Sequence, residues 1–144
     1  MPGVLLDTGP LVAYLYPRDA YHEWAIRQFE ISDLPFLTCE AVLTESCFLV
    51  ARNGQAATRV LDMLTRGVVR IGLGIGEEIA AVHGMMTRYA NVPMSLADAC
   101  LVRLAEMTDL PICTLDSDFA IYRTQRRRAL NLISPSGRHA LHEP

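Results

Sequence analysis

The chain has 144 residues, enough for one domain with a sizeable buried core, and its net charge of -3 argues against a general nucleic-acid binder. All 13 basic residues are arginine, which excludes any mechanism that requires a lysine. The four cysteines stand singly in apolar stretches with no Cys-x-x-Cys pair, which indicates reduced thiols in a cytoplasmic protein and no zinc site.

Strand-like and helix-like segments alternate along the chain. Residues 4–6 predict a strand, and a helix follows with Pro10 in its first turn, where a missing N–H costs nothing. The later predicted elements are a helix over 20–31, a strand over 35–38, helices over 40–52 and 55–66, a strand over 68–71, helices over 76–89 and 96–107, and strands over 112–115 and 130–133.

This alternation predicts a three-layer α/β/α sandwich around a mainly parallel sheet of four or five strands. We expect one domain over residues 1–144, with a polar tail from about residue 134. No segment approaches the roughly 20 apolar residues of a membrane span, and the N-terminus lacks the basic leader of a signal peptide, so no membrane partner is expected.

Acidic residues directly follow two of the predicted strands. Asp7 comes after the first strand, and Asp116 and Asp118 come after the strand over 112–115. Ligands of parallel sheets bind at the carboxyl ends of strands, so these acids are candidates for a site. Each also has a purely structural interpretation, because Asp is a favoured N-cap and an acid stabilises the first turn of a helix.

A further acid lies inside a predicted helix. The 3.6-residue period places Glu45 beside Ala41, Val42, Phe48 and Leu49, which predicts a core-facing position for it. The alternatives are a partly exposed flank of the apolar stripe or a pair with an arginine.

The helix over 96–107 carries another acid on its apolar face. Asp98 shares that face with Leu101, Val102 and Ala105, so a buried carboxylate there needs a partner. The alternative is a capping box, because Ser95-x-x-Asp98 fits the start of this helix.

Convergence of these acids would need a positive charge. Two carboxylates about 4 Å apart repel by roughly 4 kcal/mol at an effective dielectric near 20, and burial adds several kcal/mol per ion. Mg²⁺ or Mn²⁺ fits best, because these hard ions bind carboxylate oxygens and water and need neither imidazole nor thiolate.

Four stretches in this order resemble the PIN-domain ribonucleases, and most closely the VapC-like toxins of type II toxin–antitoxin systems. They are VLLDTGPLVAYL at 4–15, VLTESCFLV at 42–50, MSLADACLVRLAE at 94–106 and ICTLDSDF at 112–119. Any one of these motifs is weak, whereas four in order across nearly the whole chain are specific.

The resemblance implies a role for each acid and for two threonines beside them. The family's metal ligands fall on Asp7, Glu45, Asp98 and Asp116, with Asp118 as a further catalytic acid. Thr114 matches a small polar residue that supports an acid, and Thr8 lies beside the first acid. Glu40 would take the place of Glu45 if the predicted helix register were shifted.

The resemblance also implies an activity and partners. It implies a Mg²⁺- or Mn²⁺-dependent endoribonuclease that forms a homodimer and is inhibited by a small cognate antitoxin. Two alternatives are an RNA-processing PIN nuclease without an antitoxin and a non-catalytic PIN module that binds a protein. Arg123 and Arg126 to Arg128 either hold the RNA backbone or form a solvated run of charge.

Overall fold

The computed structural model describes residues 3–140, and for residues 137–140 it describes the backbone alone. The strands are β1 (Val4–Leu6), β2 (Phe36–Thr38), β3 (Val69–Ile71), β4 (Ile112–Cys113), β5 (Asn131–Ser134) and β6 (Gly137–Ala140). The helices are α1 (Thr8–Leu15), α2 (His22–Ile31), α3 (Glu40–Arg52), α4 (Thr58–Thr65), α5 (Ile79–Arg88), α6 (Leu96–Thr108) and a short 3-10 helix, Ser117–Ala120. Residues 1, 2 and 141–144, the ends of the predicted domain, lie outside this range.

The strands form one sheet in the order β3-β2-β1-β4-β5-β6. Strands β1 to β5 are parallel, and β6 pairs antiparallel with β5. The prediction of a mainly parallel sheet is therefore confirmed, with β6 as an additional strand. Sequence reasoning missed β6 because it lies in the segment assigned to the polar tail and lacks an apolar alternation.

The sheet has a hydrophobic core on each face, because successive side chains of a strand point in opposite directions. Leu5 and Ile112 pack with α5 and α6 on one face. Val4, Leu6 and Phe36 pack with α1, α3 and α4 on the other. The sheet lies between two helical layers, which confirms the predicted three-layer sandwich.

Several helix ends follow from single residues. Gly54 follows the predicted helix over 40–52 and Gly67 follows the predicted helix over 55–66, and both glycines have the left-handed backbone that ends a helix, with φ of 85° and 75°. Helix α6 begins at the Ser95 cap and ends at Asp109, whose φ is 62°. These residues account for the C-terminal ends of α3 and α4 and for both ends of α6.

The central strands bring distant parts of the chain to one edge of the sheet. Leu6 of β1 is in register with Cys113 of β4, and the Asp7 amide donates to the Cys113 carbonyl at 3.1 Å. The residues that follow these two strands must therefore leave the sheet side by side. Helix α3 also contacts α6, and each of these helices carries one of the predicted site acids, Glu45 or Asp98.

Across the described residues, none of the helices combines the length and the apolar character needed to cross a bilayer.

Candidate active site

Asp7 is the buried centre of the acidic cluster, with 7% of its surface exposed. Its Oδ1 accepts the Thr8 amide at 2.8 Å, which caps α1, and its Oδ2 accepts the Thr114 hydroxyl at 2.7 Å. Burial raises the pKa of Asp7 from 3.8 to about 6; the two hydrogen bonds oppose this shift, and the charges of Asp98 and Asp116 add to it. The capping interpretation is therefore confirmed for this acid, and its role in a metal site stays a prediction.

Thr114 links the two strand-end acids. Its hydroxyl donates to Asp7 and accepts the Asp116 amide at 2.9 Å, and the residue is 1% exposed. Asp116 itself is exposed, and its Oδ1 accepts the Asp118 amide at 2.9 Å, which caps the 3-10 helix. A buried threonine is thus the bridge between the exit of β1 and the exit of β4.

Asp98 is half-buried at the first turn of α6. Its Oδ2 accepts the Tyr122 hydroxyl at 2.9 Å and the Ser95 amide at 3.3 Å, while Ser95 Oγ accepts the Asp98 amide at 3.0 Å. The predicted capping box is therefore present. Burial raises the pKa of Asp98 and the charge of Asp116 adds to the shift, which places Asp98 within electrostatic reach of the strand-end acids.

Tyr122 belongs to this cluster, and sequence reasoning missed it. The residue is fully buried, with its ring edge-on to Phe119 and Tyr89. Burial raises the pKa of Tyr122, and the charges of Asp98, Asp118 and Asp116 raise it further. The sequence contains one signal for this role, a tyrosine at an apolar position. A buried tyrosine hydroxyl needs a hydrogen-bond partner, so a nearby polar group is expected.

Glu45 lies at the rim of the cluster. The Thr8 hydroxyl donates to its Oε1 at 2.8 Å, so Thr8 contacts Asp7 through its backbone and Glu45 through its side chain. The predicted core-facing position of Glu45 is wrong, because this side chain is exposed and Phe48 is 64% exposed. The partly exposed flank, weighed as an alternative, is what the structure shows.

The apolar stripe of α3 explains the error. Val42, Ser46 and Val50 recur at a spacing of four and are fully buried, so a polar residue occupies the middle of the stripe. Phe48 points away from it. Glu40, the alternative acid, is exposed at the first turn of α3, and the Thr8 contact favours Glu45 over it.

Asp118 takes part mainly through its backbone. Its amide donates to Oδ1 of Asp116, and its half-buried carboxylate helps to raise the pKa of Tyr122. The favourable charge in the first turn of the 3-10 helix is thus present. A catalytic role for this carboxylate stays a prediction.

The cluster carries uncompensated negative charge. Among the side chains that the structure describes, ion pairs within 4.0 Å join only Arg103 to Glu78 and Glu106. In the same part of the chain, no three acidic, imidazole or thiol groups converge closely enough to form a ready metal site. The carboxylate oxygens thus have the atom type and charge that a hard divalent cation prefers. In the described arrangement, however, the carboxylates lie too far apart for three of them to bind one ion together.

The arginine-rich turn after the cluster contacts other parts of the protein. Arg123 donates to the carbonyls of Ala120, Ile121 and Tyr122 at 2.8–3.1 Å. Arg126 and Arg128 line a cavity of about 420 Å³ together with residues from the C-terminal half of α6, whereas Asp98 lies at the other end of that helix. This placement favours the interpretation of these arginines as a solvated run of charge. It argues against their contact with a substrate bound at the acidic cluster.

The fold and the cluster together define an α/β domain whose acids gather at the carboxyl ends of central parallel strands. The PIN domain family model matches residues 4–124, and the chain belongs to the PIN domain family. A comparison with curated protein sequences gives no significant match. Among solved structures, Mycobacterium tuberculosis VapC20, described as a sarcin-ricin loop cleaving toxin, has the same fold with a TM-score of 0.75. The two chains are 21% identical over 82% of this chain and 93% of VapC20.

Proposed function

We propose that this protein is a divalent-metal-dependent endoribonuclease and the toxin of a toxin–antitoxin pair. The observation that carries the proposal is the pair of threonines, Thr8 and Thr114, that tie acids from three separate parts of the chain into one cluster. Burial, with a smaller contribution from the neighbouring acids, raises the pKa of Asp7 and of Asp98, so ionising these two carboxylates without a cation is costly for a purely structural site. Membership of the PIN domain family and the shared fold with a VapC toxin support the same assignment.

Four carboxylates would hold Mg²⁺ or Mn²⁺, namely those of Asp7, Glu45, Asp98 and Asp116. A divalent cation in such a site activates water and neutralises the charge that develops on a transferring phosphate. Each of the four carboxylates accepts a hydrogen bond through one or two of its lone pairs, which leaves further lone pairs for a cation. Asp118 is a further candidate acid beside them.

The chain's own hydrogen bonds would set the positions of these acids. Thr114 holds Asp7 and the backbone of Asp116 at a fixed separation, and Thr8 holds Glu45 beside Asp7. In the proposed reaction water adds to a backbone phosphorus and the bond to the 3′-oxygen breaks. The departing oxygen takes up a proton, which leaves a 3′-hydroxyl and a 5′-phosphate.

The partners are proposed on the same basis. We expect a small cognate antitoxin that blocks the acidic cluster, a homodimer, and a cytoplasmic location. Exposed apolar side chains support a protein partner, since Ile31 is 74% exposed and Phe48 64% exposed. Light scattering of the purified protein, alone and co-expressed with the product of a neighbouring short reading frame, tests both kinds of assembly.

The activity is tested by incubating structured and single-stranded RNAs with wild type, Asp7→Asn and Asp98→Asn. Each protein is used with Mn²⁺ and with a chelator. We expect metal-dependent cleavage by wild type and at least about a hundredfold loss in both variants, because each removes a carboxylate from the cluster. Asp62→Asn, an exposed acid on α4, is the matched control and should cleave like wild type.

Equal cleavage by all four proteins would point to a contaminating nuclease and overturn the proposal. A wild-type protein that stays inert on every RNA while binding a partner protein would favour the non-catalytic module, which the open spacing of the acids also allows. Cleavage without any antitoxin gene would favour an RNA-processing nuclease.

A further inference from the structure

A cavity of about 350 Å³ opens directly beside the acidic cluster. It lies where β4 and β5 end, and two of its lining residues, Thr114 and Asp116, also belong to the cluster. A ligand in this cavity would therefore touch the cluster itself.

The lining selects the chemistry of the ligand. Leu115, Ala120, Leu132 and Pro135 supply apolar walls. Among the lining side chains that the structure describes, Asp116 is the only charged one, and no arginine is present to bind a phosphate. The cavity is thus suited to a neutral group with apolar faces, next to a site suited to a charged one.

Tyr21 gives the cavity an aromatic side. The residue is 45% exposed although it stands at the N-cap of α2, where its carbonyl accepts the Ala25 amide at 2.9 Å. Its own amide donates to Asp19 at 2.8 Å, so both its backbone polar groups are bonded. The ring is therefore carried by a fixed backbone and remains accessible to a ligand.

We propose that this cavity binds one unstacked nucleobase of the RNA strand, next to the phosphate that is cut, with the base against Tyr21. The inference rests on the proposed nuclease function, and it adds a site for the substrate's base. Proteins recognise single-stranded RNA by stacking splayed bases on aromatic side chains, and an apolar pocket with few polar groups is the usual form of such a site. A base inside an intact duplex cannot enter, so the substrate must present a loop or a single strand here.

The shared residues explain why base and phosphate would be bound together. Thr114 and Asp116 face the cavity and also hold the acidic cluster, so a base in the cavity brings its own backbone to the acids. The cavity would thus determine which phosphate of the RNA lies at the acids, and it would also contribute to the affinity for the RNA.

The test is equilibrium binding of short single-stranded RNAs, measured by fluorescence anisotropy in Mg²⁺. All proteins carry Asp98→Asn, so that cleavage is suppressed equally. Adding Tyr21→Ala should weaken binding roughly 5- to 100-fold, the range for loss of one base–aromatic stack, whereas Tyr21→Phe should stay within about threefold. Leu61→Ala, which removes an exposed apolar side chain from α4, is the control and should bind like the parent.

Abasic RNAs make the test specific for a base. An abasic nucleotide at one position should reproduce the loss caused by Tyr21→Ala, and combining the two changes should cost no more than either alone. Unchanged binding by Tyr21→Ala, or additive losses at every abasic position, would overturn the inference. If Tyr21→Ala weakens only a protein partner, the cavity is a protein-binding site and the inference is wrong.

Failure of the inference and failure of the proposed function give different results. If wild type cleaves RNA and Tyr21→Ala binds RNA normally, the inferred base site is overturned and the nuclease function stands. If wild type never cleaves RNA but the abasic RNAs give the predicted pattern, the nuclease function is overturned and the base site stands. Circular dichroism of each variant shows that the fold is retained.

Discussion

The acidic cluster has two halves that are held in different ways. In the strand half, Asp7 and Thr114 are buried, and pairing of β1 with β4 brings them together although they are 107 residues apart. In the helix half, Glu45 and Asp98 are less buried and are each joined by a hydroxyl from another element, Thr8 or Tyr122. The buried pair of the strand half, Asp7 and Thr114, is therefore part of the core, whereas the helix half is attached to it.

This difference predicts how stability and activity separate. Changes in the strand half should alter the free energy of unfolding strongly, because they disturb buried charge and buried hydrogen bonds. Changes at Glu45, the exposed acid of the helix half, should leave the free energy of unfolding nearly unchanged and affect only metal binding and RNA cleavage.

Asp7 gives the largest expected effect on stability, and the effect depends on pH. Its pKa is about 6 in the folded protein against an ordinary value of 3.8, so between these values the folded state binds the extra proton. Its contribution to stability is therefore present below about pH 4 and is lost as pH rises through 6, by up to about 3 kcal/mol. Urea unfolding of wild type and Asp7→Asn in chelator from pH 4 to 7.5 measures the difference.

The expected result is that wild type loses stability relative to Asp7→Asn as pH rises. Added Mn²⁺ should restore wild type at pH 7.5 and leave Asp7→Asn largely unchanged, since a ligand that binds only the folded state stabilises it. Parallel pH profiles for the two proteins would show that Asp7 is not held in a desolvated cluster.

Thr114→Val should give the next largest effect. The substitution keeps the shape but removes the hydroxyl that donates to the Asp7 carboxylate and accepts the Asp116 amide, so we expect a loss of about 2 kcal/mol at pH 7.5. Thr65→Val is the matched control, because Thr65 is exposed and its hydroxyl donates to the Leu61 carbonyl of its own helix. Losses of equal size in the two variants would contradict a special role for the strand half.

The sequence predicted the strand half better than the helix half for a physical reason. Asp7 and Asp116 follow apolar runs that fit only strands, and the carboxyl ends of neighbouring parallel strands share one edge. Their position therefore depends on topology and tolerates small errors in register. The capping interpretations weighed for Asp7, Asp98 and Asp116 are also correct, since each carboxylate caps a helix while it belongs to the cluster.

Helical acids were harder to place, because a helix face depends on every residue along it. Ser46 is buried in the middle of the apolar stripe of α3, where a hydropathy pattern expects an apolar residue. Phe48 is apolar but exposed, so the pattern places the buried stripe on the wrong face. Tyr122 was missed because its role requires a contact across 24 residues with Asp98, which no local pattern encodes. Contacts made by a single hydroxyl are the part of this site that only a structure provides.

Glu45 gives the smallest expected effect on stability and the sharpest test of the helix half. Glu45→Gln and Glu40→Gln change two exposed acids of the same helix, and each should alter the free energy of unfolding by less than about 0.5 kcal/mol. Of the two acids, Glu45 is the one that the Thr8 hydroxyl holds beside Asp7, so removing its charge in Glu45→Gln should reduce metal-dependent RNA cleavage and calorimetric Mn²⁺ affinity by at least about tenfold.

Glu40→Gln should match wild type in both measurements, because Glu40 lies at the start of α3 and the Thr8 contact reaches α3 at Glu45, five residues further on. The reverse result would mean that the metal-bound protein uses Glu40, and that the Thr8 contact is a feature of the metal-free cluster alone. Equal losses in the two variants would indicate that the whole rim of α3 contributes negative charge without a specific ligand. A loss confined to Glu45→Gln, with unfolding unchanged, would establish that the helix half serves the chemistry and adds little to the fold.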